Sequence, residues 1–430
     1  MRWWVATVLC ATACGRSEYL LVDSAGGTAG ATSAAADDPG GEAGVEGDST
    51  AEPACGAVPD VRQAHFYDGD WLQTVGRDLA RGPDGTLYVG GTAADEAAMY
   101  LWIEAVSPDG QLQWEYIGES SPGQNLQGWV PEANDVVFVD GSLMYVGSTY
   151  IDQTPFALMG RVDPVTNAAG ETRAEPGGVW YAQAGPDTND RFVVGRDYRA
   201  SEGSRVERRV DFSPVWEQST VESETFGDTG YAALAIQDGL IVSGQRDDFG
   251  WVARYDAVSG EPQWSRQVME TATFEARSGS LSSLALSGDT IVAGGEVYLE
   301  KPDPRDGSGS LLYTEAQVTG WSLQGDALWS WQRPADVARK GTVQSVAVGP
   351  DGTVYVAGEE GEFDDDESLF VAAFSPGGDV LWTMQDGAPS YDTVGLRGDA
   401  LVVGEDNQLF VLSNQNLEAG RTTVLLEICM

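Results

Sequence analysis

The chain runs to 430 residues and carries 67 Asp and Glu against 24 Lys and Arg, a formal net charge of −43. A field of that sign repels phosphate backbones, which excludes nucleic acid as a partner. The single histidine, His65, excludes a multi-histidine metal centre and argues against a histidine-based catalytic triad.

The N-terminus reads as an export signal. After Arg2 comes the apolar run Trp3 to Ala13, eleven residues, too short to cross a bilayer as a helix and well sized for a signal-peptide core. Ala11-Thr12-Ala13-Cys14 resembles a bacterial lipobox, in which small residues precede a cysteine that is lipidated after cleavage. Ala11 departs from the leucine such boxes favour, so a plain secretory signal is the alternative. Cys10, preceded by Leu9, is the poorer processing site. The expectation is a signal peptide over residues 1–13 and an outer-membrane lipoprotein, lipidated at Cys14, on the periplasmic or surface face.

Ser24 to Ala54 holds six carboxylates, no basic residue and no aromatic. Such a segment buries too little apolar surface to offset its ordering entropy, so residues 14–57 are expected to form a lipidated, flexible acidic linker. Removal of Cys10 and lipidation of Cys14 leave Cys55 and Cys429, at the two ends of the folded body. In an oxidising compartment they are expected to pair, a closure worth about 2 to 5 kcal/mol, with two unpaired thiols as the alternative.

Val61 to Trp71 reads as an outer strand without a blade of its own. After it, one hairpin returns along the chain: two short apolar strands around Asp-Gly or a relative, the second ending in glycine. The repeats are Leu79 to Gly91, Val136 to Gly147, Tyr181 to Gly195, Leu234 to Gly244, Leu284 to Gly294, Val346 to Gly358 and Val394 to Gly404. Their turns fall at Asp84-Gly85, Asp140-Gly141, near Asp187 to Asp190, and at Asp238-Gly239, Gly288-Asp289, Asp351-Gly352 and Gly398-Asp399. Asp-Gly tolerates the positive φ of a tight hairpin. Recurrence at roughly 40 to 60 residues predicts radial repetition: an all-β, seven-bladed β-propeller over residues 58–430. The final strand, Thr422 to Cys429, lies where Val61 to Trp71 can complete the last blade or add beside it, closing the ring with its own two ends and covering an edge.

A second strand pair follows most hairpins and closes on tryptophan. Gly110 precedes Trp114 by four positions, and the same interval links Gly260 to Trp264, Gly325 to Trp329 and Gly378 to Trp382. Trp216 closes a shorter version, and Trp71 stands before the first hairpin. The regular spacing predicts that these indoles wedge between blades, each burying about 150 to 250 Å².

Arg254 to Trp264, RYDAVSGEPQW, resembles the tryptophan-docking repeat of quinoprotein-like (PQQ-like) propellers, and the looser repeats over residues 60 to 430 resemble those of secreted bacterial propeller lipoproteins. That resemblance implies a propeller more than a chemistry. Quinoprotein dehydrogenases of this kind often stack their cofactor on a vicinal disulfide, and this sequence has no adjacent cysteines, so PQQ is not expected. Outer-membrane assembly lipoproteins share the repeat without the cofactor, which implies a purely binding role.

Loops from the second to the third strand share one face of a propeller. Here they carry Glu359, Glu360, Glu362, Asp364, Asp365, Asp366 and Glu367, with Asp247 and Asp248 in the fourth blade, Asp95 and Glu96 in the first, and an insertion, Tyr298 to Ser310, in the fifth. Clustered carboxylates suit Ca²⁺, which takes about six to eight oxygens, but no ordered calcium loop is present, and a solvated charged rim is the simpler reading. No nucleophile elbow, P-loop or dinucleotide fingerprint stands in a suitable setting. The expected role is a monomeric, non-catalytic scaffold at the bacterial envelope that binds protein or glycan through this rim. The rivals are a carbohydrate-active hydrolase or a quinone-dependent dehydrogenase working in the central channel, and a calcium-stabilised surface protein.

Overall fold

A computed structural model describes residues 60–66, 71–96, 98–118, 131–151, 154–185, 188–198, 203–220, 229–268, 276–302, 310–333, 339–362, 368–384, 396–404, 408–417 and 420–429. All regular structure among them is β. Strand β1 (Asp60–Phe66) comes first in the chain and is used last in the ring. Blade one is β2 (Gln73–Arg81), β3 (Leu87–Ala94), β4 (Met99–Val106) and β5 (Leu112–Ile117). Blade two is β6 (Glu132–Val139), β7 (Ser142–Ile151), β8 (Thr154–Asp163) and β9 (Ala168–Pro176). Blade three is β10 (Gly178–Ala184), β11 (Asp190–Asp197), β12 (Gly203–Val210) and β13 (Ser213–Thr220). Blade four is β14 (Thr229–Ile236), β15 (Gly239–Arg246), β16 (Phe249–Asp256) and β17 (Pro262–Gln267). Blade five is β18 (Ala276–Ser287), β19 (Thr290–Pro302), β20 (Ser310–Ser322) and β21 (Ala327–Gln332). Blade six is β22 (Arg339–Val348), β23 (Val354–Glu362), β24 (Ser368–Phe374) and β25 (Val380–Met384). Blade seven is β26 (Leu396–Val403), β27 (Leu409–Leu417), β28 (Gly420–Cys429) and then β1. Seven four-stranded antiparallel sheets make the chain a seven-bladed propeller.

The ring closes with its own ends. β1 is the fourth strand of the last blade, paired from Asp60 opposite Cys429 to Phe66 opposite Val424 with one bulge between Val61 and Gln63. Trp71 lies outside that strand. The joint with blade one is stitched by side chains: the Gly76 N–H donates to Asn414 Oδ1 at 2.9 Å and Thr423 Oγ1 at 2.8 Å, and the Thr423 N–H donates to Thr74 Oγ1 at 2.9 Å.

Apolar clusters span neighbouring blades rather than filling one. Leu369 and Val371 of blade six pack with Val411 and Leu426 of blade seven. Phe192 and Val206 of blade three pack with Val242 and Trp251 of blade four. Middle strands are therefore apolar on both faces, and each such fully buried side chain contributes about 1.5 to 3 kcal/mol.

One irregularity recurs in every innermost strand. The register slips by one residue at Arg77, Asn134, Tyr181, Tyr231, Ser282, Gln344 and Asp399, each a bulge at the same height of the disc. Facing it on the second strand is Gly91, Gly147, Gly195, Gly244, Gly295 or Gly358, with Ser413 in the last blade. The bulge presses a backbone carbonyl into that site: a Cβ on Gly147, Gly195, Gly244, Gly295 or Gly358 would stand 1.9 Å from it. The repeating strand-end glycine is thus required by the neighbouring backbone.

The seventh hairpin differs from expectation. β26 runs straight through Gly398-Asp399, and the chain reverses only beyond Gly404. Gly398 lacks a positive φ and serves the bulge instead of a turn. The insertion expected as a loop from Tyr298 to Ser310 is strand at both ends: β19 and β20 stay paired out to Pro302 opposite Ser310, and residues 303–309 lie outside the described residues.

Candidate functional site at the channel mouth

The tryptophans of the outer strands lie against the next blade. The Trp114 indole N–H donates to the Pro164 carbonyl at 2.8 Å, Trp216 to Ala257 at 3.1 Å and Trp264 to Leu323 at 3.0 Å. The rings of Trp216, Trp264 and Trp329 are seated on the turn glycine of the following blade: a Cβ on Gly260 would meet Trp216 at 2.6 Å, on Gly325 Trp264 at 2.8 Å, and on Gly378 Trp329 at 2.4 Å. The glycine of the Gly-to-Trp interval is therefore the seat for the preceding blade's indole. Trp382 packs beside Tyr355 in the cluster shared with blade seven. Trp71 is different, since its indole N–H donates to Glu115 Oε1 within blade one at 2.6 Å.

Blade two has no such tryptophan, and its joint with blade three is charged. Glu207, fully buried, pairs with Arg205 and Arg209, and Arg209 also reaches Glu175 of blade two at 2.6 Å. Both guanidiniums lie over the Trp180 ring, 4.9 and 5.5 Å from its centroid. Burial pushes the Glu207 carboxyl up, against the pull of the two arginines.

The acidic rim is divided. Glu359 and Glu360 are not loop residues: they sit in β23, at 4 and 9% exposure, ion-paired to Lys340 and Arg333, each at 2.7 Å. Strand pairing with Thr342 and Gly341 explains their position. Glu362 ends the same strand, and Asp364, Asp365, Asp366 and Glu367 lie outside the described residues, as do Cys14 and Cys55. Cys429 ends β28. Among the described residues, no group of three or more His, Cys, Asp or Glu is placed to hold a metal.

The side chains that reach solvent at the channel were not singled out by sequence. At the bulges of blades three and four, Tyr181 and Tyr231 stand 5.6 Å apart at 59°. Arg196 lies over Tyr198 at 5.0 Å, and Tyr298 donates to Glu296 Oε1 at 2.8 Å. Burial is the main cause that pushes the Tyr231 and Tyr298 phenols up, and the Glu296 charge adds to it in both. Both phenols are therefore intact donors at neutral pH. This cluster spans blades three to five and forms one side of the mouth.

Below it, four of the seven residues that follow a bulge latch onto the next blade. Asp78 accepts from the Val136 N–H at 2.8 Å, Asp135 from Gln183 at 2.6 Å, Ser283 from Val346 at 2.9 Å and Ser345 from Leu401 at 3.0 Å. Ala182, Ala232 and Ala400 leave the other three joints without this latch. Asp78 and Asp135 also lie near enough to influence each other's titration. Each keeps some solvent access while protein surrounds its carboxyl, as suits the wall of a narrow channel. Burial raises Asp78 to about 6, and burial plus the Asp78 charge hold Asp135 well above the usual carboxylate range, so the pair retains a proton. A carboxyl raised in the fold binds more protons folded than unfolded, so stability falls as pH rises from about 4 through about 6. Asp78→Asn supplies a permanent N–H to Asp135. It is expected to raise the melting temperature at pH 7 and to flatten its decline between pH 4 and 7, read by a pH series of thermal melts.

No family model matches the chain, and no curated protein matches it. Solved structures similar to it include the WD40 β-propeller domain of Doa1, at 12% identity over 86% of this chain and 97% of that one, with a TM-score of 0.48. Sqt1 of Chaetomium thermophilum bound to the N-terminus of ribosomal protein L10 is similar at 12% identity, covering 84% and 98%, with a TM-score of 0.48. The Dos1 propeller follows at 11%, covering 83% and 94%, with a TM-score of 0.46. The assignment of the fold rests on the seven-sheet ring of the chain itself.

Proposed function

We propose that the chain is a non-catalytic binding platform, held at a bacterial envelope, that recognises a protein or glycan through the face bearing its second-to-third strand turns. The observation that carries this reading is the tyrosine cluster Tyr181, Tyr198, Tyr231 and Tyr298, which keeps solvent access at the mouth of a disc whose interior is otherwise packed. Half-exposed tyrosines on a rigid scaffold give a large contact area at low entropic cost. Catalysis by the channel carboxylates fits poorly. Asp78 and Asp135 each accept a backbone N–H of the next blade, from Val136 and Gln183, which commits them to the joints between blades.

The same proposal places the chain among quinoprotein-like repeat proteins on Arg254 to Trp264, with lipid at Cys14, residues 14–57 as a tether and a Cys55–Cys429 pair. β1 starts at Asp60, five residues after Cys55 and directly opposite Cys429, so the pair needs only a short reach. Intact mass of the membrane-extracted protein tests both modifications: a lipid adduct on Cys14 and no alkylation of Cys55 or Cys429 are expected. Capture from envelope extract by residues 55–430, lost when Tyr231 is changed to Ala, tests the platform. Recovery of nothing, together with turnover on a glycan panel, would replace it with a hydrolase.

A further inference from the structure

We infer that this mouth seats a cationic side chain, lysine or arginine, presented by a protein partner, with Glu296 as counter-charge and Tyr231 and Tyr298 as walls. The inference rests on the platform reading and names the chemistry of its ligand.

Three other carboxylates of the first and second strands on this face are neutralised from within. Glu132 pairs with Arg77 at 3.2 Å, Glu359 with Lys340 and Glu360 with Arg333, each at 2.7 Å. Glu296 holds the register position of Glu359, opposite Ser280 as Glu359 is opposite Thr342. Yet among the described residues it has no cation. Its partners are three hydroxyls: Tyr298 at 2.8 Å, Thr342 at 2.9 Å and Ser280 at 3.4 Å. Hydroxyl donors occupy lone pairs and fix the carboxylate's direction, but they leave its charge in place.

The rings beside it supply the second attraction. Tyr298 touches Glu296 directly, and Tyr231 lies within electrostatic reach of both. Aromatic faces are negative, so a desolvated ammonium or guanidinium gains from them as well as from the carboxylate. The mouth already accepts one such arrangement in Arg196 over Tyr198. The net charge of −43 draws a cationic partner from a distance and does nothing for a neutral sugar, which favours protein over glycan.

The test uses the full chain and a fluorescein-labelled hexalysine peptide, read by anisotropy at about 0.15 M salt, where the Debye length is about 8 Å. Glu296→Gln, which keeps an acceptor for the hydroxyls, is expected to raise Kd at least tenfold. Asp326→Asn removes the same charge from an exposed turn on the opposite face and is expected to change Kd less than twofold. Tyr231→Leu is expected to weaken binding and Tyr231→Phe to retain it, with circular dichroism confirming the fold of each variant. Acetylation of every peptide amine should abolish binding. Equal losses in Glu296→Gln and Asp326→Asn would reduce the effect to the general field and overturn the seat, as would no loss in either. Capture of an envelope partner equally by wild type and Glu296→Gln would leave the platform standing and remove the cation seat alone.

Discussion

Glu207→Ala is expected to destabilise the propeller by up to about 3 to 5 kcal/mol, because it removes the buried carboxylate and leaves Arg205 and Arg209 only the more exposed Glu217 and Glu175. Arg205 and Arg209 are 3 and 2% exposed and are held over Trp180. The loss should appear as a lower urea midpoint with an unchanged slope. A combined Arg205→Met, Glu207→Leu, Arg209→Met variant separates charge from packing. Exchange of a whole buried ion cluster for apolar groups of similar volume is often neutral or stabilising by about 1 to 4 kcal/mol. Recovery of stability in that variant would show that this joint needs a filled space more than it needs ions, as the tryptophan-bearing joints do. A triple variant as unstable as Glu207→Ala would show the reverse.

Gly147→Ala is the second large effect, expected at or above the upper end of the about 1 to 3 kcal/mol typical of overpacking. Its new methyl would lie 1.9 Å from the Glu132 carbonyl oxygen, a backbone atom that cannot turn away. Gly288→Ala is the comparison. Nothing lies within 4 Å of its Cβ, but its φ is +60°, so only the left-handed backbone cost of about 1 to 2 kcal/mol applies. Chemical unfolding midpoints rank the two, and a Gly147→Ala variant no worse than Gly288→Ala would discount the bulge as the reason for the glycine.

Most of the architecture was legible because its signals are backbone requirements. Asp140 and Gly141 both take positive φ, at 48° and 73°, and few residue pairs satisfy that turn. The seventh hairpin misled because Gly398-Asp399 offers the same letters for a different task, a bulge inside a strand. Glu359 and Glu360 were grouped with the rim by charge, whereas pairing and two internal cations place them in the sheet. The channel mouth gave no pattern at all: its bulged positions are Arg77, Asn134, Tyr181, Tyr231, Ser282, Gln344 and Asp399, chemically unlike one another. One signal did exist. A glycine faces the bulge in six of the seven blades, with Ser413 in the seventh, and counting from it finds those six positions of the innermost strands.

Closure by β1 also decides how the molecule bears load. The strand leaves the disc at its circumference, on the outer edge of blade seven, and is held there by β28 alone. Without a Cys55–Cys429 bond, a pull exerted through the residues before Asp60 is delivered to that single ladder; with it, the load passes to the end of β28. Detachment of this one strip would open the wheel at its rim long before the inner strands were disturbed.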